Sequence, residues 1–284
     1  MNMIKMGNRL NLIPGSGYNA AQPREKSITG VIGNMHHPAE EFNVITMNLR
    51  FGLAEDGENS WQKREALFAE VLKRYPASFI GIQESNHFQT RFLIKNLYDH
   101  DFIGWHNPEK ERWQSNLIFY HKSWICLRHR HHFISDTPDV ESRLPGSKWP
   151  RQCVIGLFEK DSHRIVMADM HFDFDESVQE KSAGLVIEFL SAFPQDCPVI
   201  ITGDFNANPG GKADAVFRAN RFSEVFDNEQ VTTFHKFKGE ATLEHIDWIL
   251  YRGRMEIIQR NIITDSFSGR YPSDHYPVLA RFRV

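Results

Sequence analysis

Short apolar runs and longer amphipathic segments alternate along the chain from Phe42 onward. In the segment NSWQKREALFAEVLKRYP the apolar residues recur at helical spacing, which predicts a helix that ends before Pro76. Two further segments are predicted helices for the same reason: HFQTRFLIKNLYD and ESVQEKSAGLVIEFLSAF. The short runs rich in Val, Ile and Phe are predicted strands: FNVITMN, SFIGIQES, SNLIFYHK, ICLRHRHHFI, RQCVIGLFEK, RIVMADMHFD, VIITGDFN, HIDWILYR, MEIIQRNIIT and HYPVLARFRV.

This order of elements predicts one mixed α/β domain over residues 42–284. Strands first flank helices and then follow one another, which indicates a substantial antiparallel component in the sheet. Residues 1–41 contain no periodic element and are punctuated by Gly, Asn, Pro and Ser. We therefore expect a flexible N-terminal extension before the domain.

Composition narrows the classes of function. The 284 residues include 41% hydrophobic and 24% charged residues with a formal net charge of −3, so the chain lacks the basic surface of a protein that coats nucleic acid. Its three cysteines form no CxxC pair, which argues against a zinc ribbon or a disulfide framework. No segment approaches the roughly 20 apolar residues of a membrane span. The N-terminus also lacks the pattern of a secretory signal, so we expect a cytoplasmic protein.

Polar side chains terminate several of the predicted strands. The strand VIITGDFN delivers Asp204 and Asn206 at its tip. Similar positions at other predicted strand ends are occupied by Asn48, Glu84, His171, Asp247, Asp274 and His275. Buried carboxylates and imidazoles are costly unless they are paired, hydrogen-bonded or bound to a metal. Because ligand sites of α/β sheets are built at strand ends, these residues form the candidate functional site.

The residue types in this set favour a hard metal ion and phosphate chemistry. Oxygen donors dominate and no cysteine takes part, which suits Mg²⁺, or alternatively Mn²⁺, rather than zinc. A histidine close to an aspartate is the arrangement that orients an imidazole for proton transfer or for hydrogen bonding to a transition state. We expect the strand that ends in Asp204 and Asn206 to hold both side chains against a metal-bound phosphate.

At these residues the chain resembles the endonuclease/exonuclease/phosphatase superfamily, which includes pancreatic deoxyribonuclease, abasic-site endonucleases, deadenylases, bacterial sphingomyelinases and inositol polyphosphate phosphatases. The resemblance covers residues 42–284 and rests on six stretches in the family's order: VITMNLRFG, IGIQES, ADMHFDFD, ITGDFNANP, EHIDWIL and YPSDHYPV. GDFN together with a late SDH is specific, whereas either alone is weak. The stretches DGENSWQKRE, TPDV and TFHKF resemble a branch of small stand-alone bacterial members. The resemblance implies an α/β (α+β) fold, a four-layer sandwich of two packed mixed β-sheets flanked by helices, with the site along one rim.

The resemblance also implies which residues hold the metal. Glu84 matches the family's metal-binding glutamate, and Asn48 matches its companion near the metal. Asp274 directly precedes the family's last histidine and is expected to hold the metal either directly or through water.

The remaining matched residues are implied to act on the phosphate. Asp204 and Asn206 match the pair that positions the attacking water and the phosphate. His171 matches a histidine that hydrogen-bonds phosphate oxygens, and Asp247 matches the acid that orients His275.

One segment departs from the family. Where many relatives carry a Tyr or Glu that helps at the site, ERWQSNLIFY offers Gln114, Ser115 or Asn116. Any of these could hydrogen-bond a phosphate, and Asn116 is our candidate, but none replaces a phenol or a carboxylate as an acid. Protonation of the leaving group is the step that this departure puts in doubt. Arg151 is a further candidate phosphate contact because a guanidinium binds phosphate oxygens bidentately.

Two tryptophans and the run RHRHH are further candidates for contact with a substrate. Trp113 and Trp149 lie in loop-like, charged surroundings where they could stack a substrate. The run RHRHH at residues 128–132 alternates within a predicted strand, which indicates a solvated or edge face rather than part of the site.

The sequence as a whole predicts a Mg²⁺-dependent hydrolase of phosphate esters, a phosphodiesterase or nuclease in which an activated water attacks the metal-bound phosphate in line. A nuclease needs several basic contacts along a nucleic-acid backbone, and apart from RHRHH, which we assign to an edge face, the acidic chain offers no obvious run of this kind. A phosphodiesterase or phosphatase that acts on a small or nucleotide-like substrate is therefore preferred, with a nuclease close behind. Two alternatives stay open: a phosphomonoesterase or lipid phosphodiesterase, and a non-catalytic binding or regulatory protein on the same fold. No feature of the sequence identifies a protein partner.

Overall fold

Two six-stranded mixed sheets form the centre of the computed structural model, which describes residues 39–227 and 229–284. The strands are β1 (Glu41–Asn48), β2 (Phe79–Ser85), β3 (His100–Gly104), β4 (Ser115–His121), β5 (Ile125–Phe133), β6 (Gln152–Lys160), β7 (His163–His171), β8 (Val199–Asp204), β9 (Ser223–Glu224), β10 (Asp247–Arg252), β11 (Glu256–Ile262) and β12 (Val278–Arg283). The helices are α1 (Trp61–Arg74), α2 (His87–Asn96), α3 (Glu176–Ser191) and α4 (Lys212–Ala219), together with a 3₁₀ helix (Gly57–Asn59).

Each sheet has one parallel pair at its centre and antiparallel neighbours around it. The strand order of the first sheet is β11-β12-β1-β2-β4-β3, and that of the second is β5-β6-β7-β8-β10-β9. The parallel pairs are β1 with β2 and β7 with β8. Parallel neighbours end at the same edge of a sheet, so the carboxyl ends of these four central strands determine where polar side chains can gather.

Alternation along the central strands divides the core into three layers of apolar contact. In β1, Val44 belongs to the cluster between the two sheets, whereas Ile45 packs on the face covered by α1 and α2. In β8, Ile200 faces the other sheet and Ile201 faces the layer of α3 and α4. Strands that are apolar on both faces are the consequence of helices covering the outer side of each sheet. The molecule is thus the expected four-layer sandwich.

Two of the helices begin with side-chain caps that bring their first turns close to strand ends. Asp175 accepts hydrogen bonds from the backbone N–H groups of Ser177 and Val178 at the start of α3. Asn86 and Gln89 form a reciprocal capping box at the start of α2. Caps of this kind satisfy backbone N–H groups that have no partner within the helix.

The predicted fold class and the three predicted helices are confirmed. The sequence analysis did not identify β3, β9 or α4, which are short elements of 5, 2 and 8 residues. The predicted extension over residues 1–41 lies outside the described residues except for 39–41, and Glu41 already belongs to β1. Within the described ranges, no helix combines the length and apolar character needed to cross a membrane.

Candidate active site

The polar residues predicted at strand ends meet at one rim of the sandwich. In the second sheet, His171 on β7 is the register partner of Asp204 on β8, and Asp204 is in turn the partner of Asp247 on β10. These three residues therefore form one row across three adjacent strands. Asn48 ends β1 in the facing sheet, and its amide reaches the carboxylate of Asp204. The rim thus joins the ends of both sheets.

Asp204 belongs to both of the side-chain clusters that could hold a metal ion. Two groups of acidic and imidazole side chains in the described ranges present ligand atoms within 4.8 Å of one another: Glu84, His171 and Asp204, and Asp204, Asp247 and His275. Asp204 is 1% exposed. Burial, and then the neighbouring negative charge of Asp247, raise the pKa of Asp204 to about 7.

The side chain of Asn48 holds two carboxylates together. Its Nδ2 donates to Asp204 Oδ2 at 2.8 Å and to Glu84 Oε1 at 3.2 Å. Its Oδ1 accepts the backbone N–H of Arg50 at 2.8 Å. In this arrangement the amide nitrogen faces the acidic cluster and the oxygen faces the backbone, so Asn48 aligns the acids. Its role as a direct metal ligand stays a prediction.

Glu84 reaches the rim because β2 is irregular at its end. The register between β2 and β4 shifts between Ile82 and Ser85, and Glu84 adopts a positive φ of 63°. A positive φ is uncommon for a residue with a side chain and is often found at functional sites. The irregularity turns the half-buried Glu84 carboxylate toward the loop, where Oε2 accepts the backbone N–H of Phe51 at 2.6 Å.

His275 and Asp247 form a buried ion pair beside Asp204. The Nδ1 of His275 lies 2.8 Å from Asp247 Oδ2, and its Nε2 lies 3.9 Å from Asp204 Oδ2. Burial disfavours the charged imidazolium, but the surrounding carboxylates, Asp247 first among them, outweigh it and raise the pKa of His275 to about 10. The other oxygen of Asp247, Oδ1, is buried without a hydrogen-bond partner. Nε2 is left as a charged donor toward the centre of the site.

His171 has the opposite electrostatic environment. Its Nε2 lies 3.0 Å from Asn206 Nδ2, which also donates to the carbonyl of Phe172 at 2.9 Å. Burial lowers the pKa of His171 well below its ordinary value, and the positive charges of Arg151 and His275 act in the same direction. His171 is therefore neutral and accepts from Asn206, so the two histidines are electrostatically distinct.

Asp274 lies at the edge of this cluster. It belongs to neither of the two groups described above, and its Oδ1 is 4.0 Å from His275 Nε2. Its Oδ2 lies 3.7 Å from Arg50 Nε, and Ser273 Oγ donates to Oδ1 at 3.2 Å. Arg50 is held in turn by two hydrogen bonds to Asp56. Metal binding by Asp274 stays a prediction.

A buried acid that was not predicted from the sequence, Asp169, supports Asn116. Asn116 Nδ2 donates to Asp169 Oδ2 at 2.9 Å, while Gln83 Nε2 and Thr202 Oγ1 donate to Oδ1 at 2.6 and 2.9 Å. Burial raises the pKa of Asp169 well above its ordinary value. Asp169 stands two residues before His171 on β7, and this period-two spacing was a signal in the sequence that both lie on one face.

A cleft of about 420 Å³ opens beside the clustered acids. Its lining includes Glu84 and His171 from the acidic cluster, together with Phe51, Arg112, Trp113, Gln114, Asn116, Trp149 and Arg151. Of the three candidates in the departing segment, Gln114 and Asn116 face the cleft, whereas the buried Ser115 Oγ has no hydrogen-bond partner. RHRHH lies on β5, the mostly exposed edge strand of the second sheet, as predicted.

Arg151 enters the cleft as a buried cation. It is 7% exposed, and its Nε lies 3.7 Å from Asp173 Oδ2, without a hydrogen bond. Burial lowers the pKa of Arg151, although Asp173 partly offsets the effect. Asp173 is a second residue that the sequence analysis did not identify as part of the site. Its Oδ2 also accepts from Ser147 Oγ and the Lys148 backbone.

Solved structures share this fold. An endonuclease/exonuclease/phosphatase family protein from Bacteroides thetaiotaomicron is 23% identical with a TM-score of 0.80, and the match covers 87% of this chain and 99% of that one. A mannosyl-6-phosphatase from Bacteroides thetaiotaomicron VPI-5482 is 24% identical with a TM-score of 0.78, covering 84% and 98%. D. rerio TDP2 complexed with single strand DNA product is 17% identical with a TM-score of 0.66, covering 86% and 99%.

The family is shown by the sequence itself. No curated protein matches the chain. The sequence profile of the Endonuclease/Exonuclease/phosphatase family, in contrast, matches residues 45–275, a span that contains all of the clustered residues described above. The chain therefore belongs to the endonuclease/exonuclease/phosphatase family.

Proposed function

We propose that the protein is a metal-dependent hydrolase that cleaves phosphate esters of small molecules. The observation that carries this proposal is the convergence of side chains on Asp204. Glu84 and His171 approach it on one side and the His275–Asp247 pair on the other, and Glu84 and His171 also line the adjacent cleft. A binding protein without catalysis has no need for this combination of acids and imidazoles. Acid–base and metal-binding groups within reach of a single phosphate are what hydrolysis requires.

The donor set fits a hard divalent cation. Glu84 and Asp204 offer carboxylate oxygens close together, and the nearby Asp247 Oδ1 is buried without a hydrogen-bond partner. Mg²⁺ prefers oxygen ligands and commonly takes one or two carboxylates together with substrate phosphate. We propose Glu84 as its principal ligand, with Asn48 and Asp274 as supporting residues. When bound, the ion would polarise the phosphate and neutralise developing negative charge.

The side chains of the chain itself divide the remaining work. Asp204, held by the backbone N–H of Asn206 at 2.9 Å, orients the attacking water and accepts its proton. His275, charged through Asp247, donates a hydrogen bond to a phosphate oxygen that gains negative charge. Asn116, which has one amide N–H left after its bond to Asp169, and Arg151 bind the remaining oxygens. The predicted contact of Asn206 with phosphate would require one of its two amide N–H groups to leave His171 or the Phe172 carbonyl. No carboxylic acid or phenol replaces the family's Tyr or Glu. Protonation of the leaving oxygen must therefore rely on a water molecule or on the basicity of the departing alkoxide itself.

The cleft favours a small substrate over a continuous strand. Its volume of about 420 Å³ lies in the range of pockets that enclose small molecules. Neighbours of the same fold include a mannosyl-6-phosphatase and a TDP2 complexed with single strand DNA product, so both monoester and nucleic-acid substrates have to be tested beside small diesters.

The test compares metal-dependent hydrolysis of p-nitrophenyl phosphate, bis-p-nitrophenyl phosphate and a single-stranded oligonucleotide. Asp204→Asn and His275→Gln should each lower kcat by about 10²–10⁴-fold because each removes a proton-transfer or charged donor group. The matched controls are Asp101→Asn and His129→Gln, since both residues are exposed and outside the site. Activity that survives in both site variants, or that falls in step with their unfolding temperature, would overturn the assignment.

A further inference from the structure

The cleft beside the acidic cluster has two walls that are fixed in place. On one side, Asn86 Nδ2 donates to the carbonyls of Glu111 and Trp113 at 3.2 and 3.0 Å, which anchors the segment that carries Arg112. On the other side, the Lys148 backbone N–H and Ser147 Oγ donate to Asp173 Oδ2 at 2.8 and 3.1 Å, which ties the segment before Trp149 to the residues that follow β7. Walls tied to the body of the protein in this way form a binding site that exists before the ligand arrives.

Arg151 in the lining of the cleft lacks a complete set of partners. Its nearest acid, Asp173, is 3.7 Å from Nε, and this nitrogen makes no hydrogen bond although it is buried. Asp173 already accepts from the backbone N–H of Lys148 and of Phe174. A buried guanidinium in this state is a strong site for an anion. Glu84 and His171 line the same cleft, so an anion on Arg151 would lie near the residues that we propose act on the scissile phosphate.

Arg112 provides a second guanidinium on the cleft wall. Its side chain is exposed and lies 5.4 Å from the ring centroid of Phe51. It forms no ion pair with any described residue, whereas its neighbour Lys110 is paired with Glu141. The cation–π contact holds the guanidinium against the wall, so its N–H groups remain available to a ligand in the cleft.

Trp149 provides an apolar face at the mouth of the same cleft. It is 52% exposed, although a large aromatic side chain of a loop normally buries most of its surface. Its backbone is fixed by Ser147, and the preceding carbonyl of Lys148 accepts from Arg143 Nη1 at 3.0 Å. Lys148 Nζ lies 5.8 Å from the centroid of this ring, and an exposed aromatic ring beside charged groups is a platform on which a flat or ring-shaped group packs.

We propose that this cleft binds the leaving group of the substrate and selects a compact ring alcohol that carries a second anionic group, either phosphate or carboxylate. The ring packs on Trp149, the second anion pairs with Arg112, and Arg151 binds the scissile phosphate. This inference rests on the proposed hydrolase function. In the reaction, water oxygen bonds to phosphorus, the ester P–O bond breaks, and the water proton ends on the released ring alcohol, which keeps its second anion.

The positive charges of the cleft favour a leaving group that carries a second anion over a neutral one. The chain as a whole carries a formal net charge of −3, and the neighbouring catalytic cluster is acidic. The two arginines of the cleft thus make it locally positive in a chain that is negative overall. Planar guanidinium groups suit the oxygens of phosphate or carboxylate. A cleft of about 420 Å³ is also large enough for one substituted ring.

The experiment uses two substrates that differ only in the second anion: glucose 6-phosphate and glucose 1,6-bisphosphate, with release of inorganic phosphate as the signal. The wild-type protein should prefer the bisphosphate in kcat/KM by about tenfold or more, as a charge-assisted hydrogen bond predicts. Arg112→Ala should remove this preference, mainly by raising KM for the bisphosphate. Trp149→Ala should raise KM for both sugars, and Trp149→Phe should restore most of the loss.

The control is Arg91→Ala, which removes the same charge from the exposed face of α2 outside the cleft. An equal effect of Arg91→Ala and Arg112→Ala would overturn the inference, because it would reflect overall charge only. So would a wild-type protein that prefers glucose 6-phosphate, or an Arg112→Ala variant that loses both substrates alike.

A binding measurement separates failure of this inference from failure of the proposed function. In Asp204→Asn protein, tryptophan fluorescence is titrated with glucose 6-phosphate and glucose 1,6-bisphosphate. If the bisphosphate binds more tightly and this difference depends on Arg112, the cleft assignment is supported, whether or not any substrate is hydrolysed. If no substrate is hydrolysed, including bis-p-nitrophenyl phosphate, the proposed hydrolase function is refuted. Equal binding of the two sugars would overturn the cleft assignment while leaving the hydrolase intact.

Discussion

Among single residues, Asp169 determines how Asn116 is presented to the cleft. Its two oxygens accept hydrogen bonds from Asn116, Gln83 and Thr202, yet no cation is among these partners. Burial raises the pKa of Asp169 well above its ordinary value. The folded protein therefore retains a proton that the unfolded chain releases near pH 4. It follows that the unfolding free energy loses a contribution as pH rises from there toward the folded-state pKa.

The variant Asp169→Asn tests this linkage because a carboxamide does not ionise. From pH 5 upward, the unfolding free energy of the wild type should fall relative to that of the variant, by at most about 1.4 kcal/mol per pH unit. Urea denaturation at pH 5, 6, 7 and 8 measures the difference, and exposed Asp101→Asn supplies the flat reference. If the difference stays constant or moves in favour of the wild type, Asp169 is ionised in the folded protein.

The sequence indicated some single residues of the site better than others. Asp204 and Asn206 could be predicted as site residues because a pair of polar side chains at the end of a buried strand is costly unless it binds or reacts with a ligand. Asp169 sits within an apolar strand, and its spacing from His171 placed both on one face without showing what that face meets. Its partner Asn116 comes from another strand, 53 residues away in the chain. The pattern of residues within one strand cannot predict a contact between two strands that are distant in the chain.

At the scale of elements, strand register decides which side chains of the site are neighbours. His171, Asp204 and Asp247 form a row because β7, β8 and β10 pair without a shift over these positions. A slip by one residue would turn each of these side chains to the opposite face. The sequence predicted the strands and their polar ends, but the pairing of β8 with β10 crosses α4 and β9, two short elements with weak signals. The row itself could therefore not be predicted.

Helix α1 contributes one side chain that ties the loops of the site together. Arg64 is 1% exposed, and its Nη1 donates to the carbonyls of Leu49 and Pro272 at 2.5 and 2.8 Å. Nη2 and Nε donate to the carbonyls of Arg50 and Asn59 at 2.9 and 3.0 Å. Its four acceptors lie after β1 and just before Asp274, so this guanidinium joins both segments to the helix.

Replacing Arg64 by lysine should therefore destabilise the protein while keeping the positive charge. An ammonium cannot span four carbonyls arranged around a planar group, and the unpaired buried acceptors should cost about 2–4 kcal/mol in unfolding free energy. Chemical denaturation measures the loss, with exposed Arg74→Lys as the control, expected to change stability by no more than about 0.5 kcal/mol. A loss in Arg64→Lys no larger than in the control would show that water can replace these hydrogen bonds.

At the scale of the whole molecule, the two sheets bring together acids that repel one another. Asn48 from the first sheet donates to Asp204 of the second at 2.8 Å, so the rim closes only when the sheets are packed. The mixed α/β class could be predicted because strand and helix patterns are local, whereas the four-layer arrangement was implied only by the resemblance to the family. The concentration of charge at the rim depends on how the layers meet, and it makes the folded state sensitive to a bound cation.

A cation that binds only the folded rim must raise the unfolding temperature. At a Mg²⁺ concentration 100 times its Kd, the stabilisation is about 2.7 kcal/mol, which corresponds to a rise of about 5–10 °C for a domain of this size. Thermal unfolding in MgCl₂, in NaCl of equal ionic strength and in EDTA measures the effect. Glu84→Gln should abolish the rise because it removes a charged ligand, whereas Glu188→Gln on the exposed face of α3 should keep it. An equal shift in NaCl, or a shift that persists in Glu84→Gln, would mean that Mg²⁺ only screens the surface, and the rim would then not be its binding site.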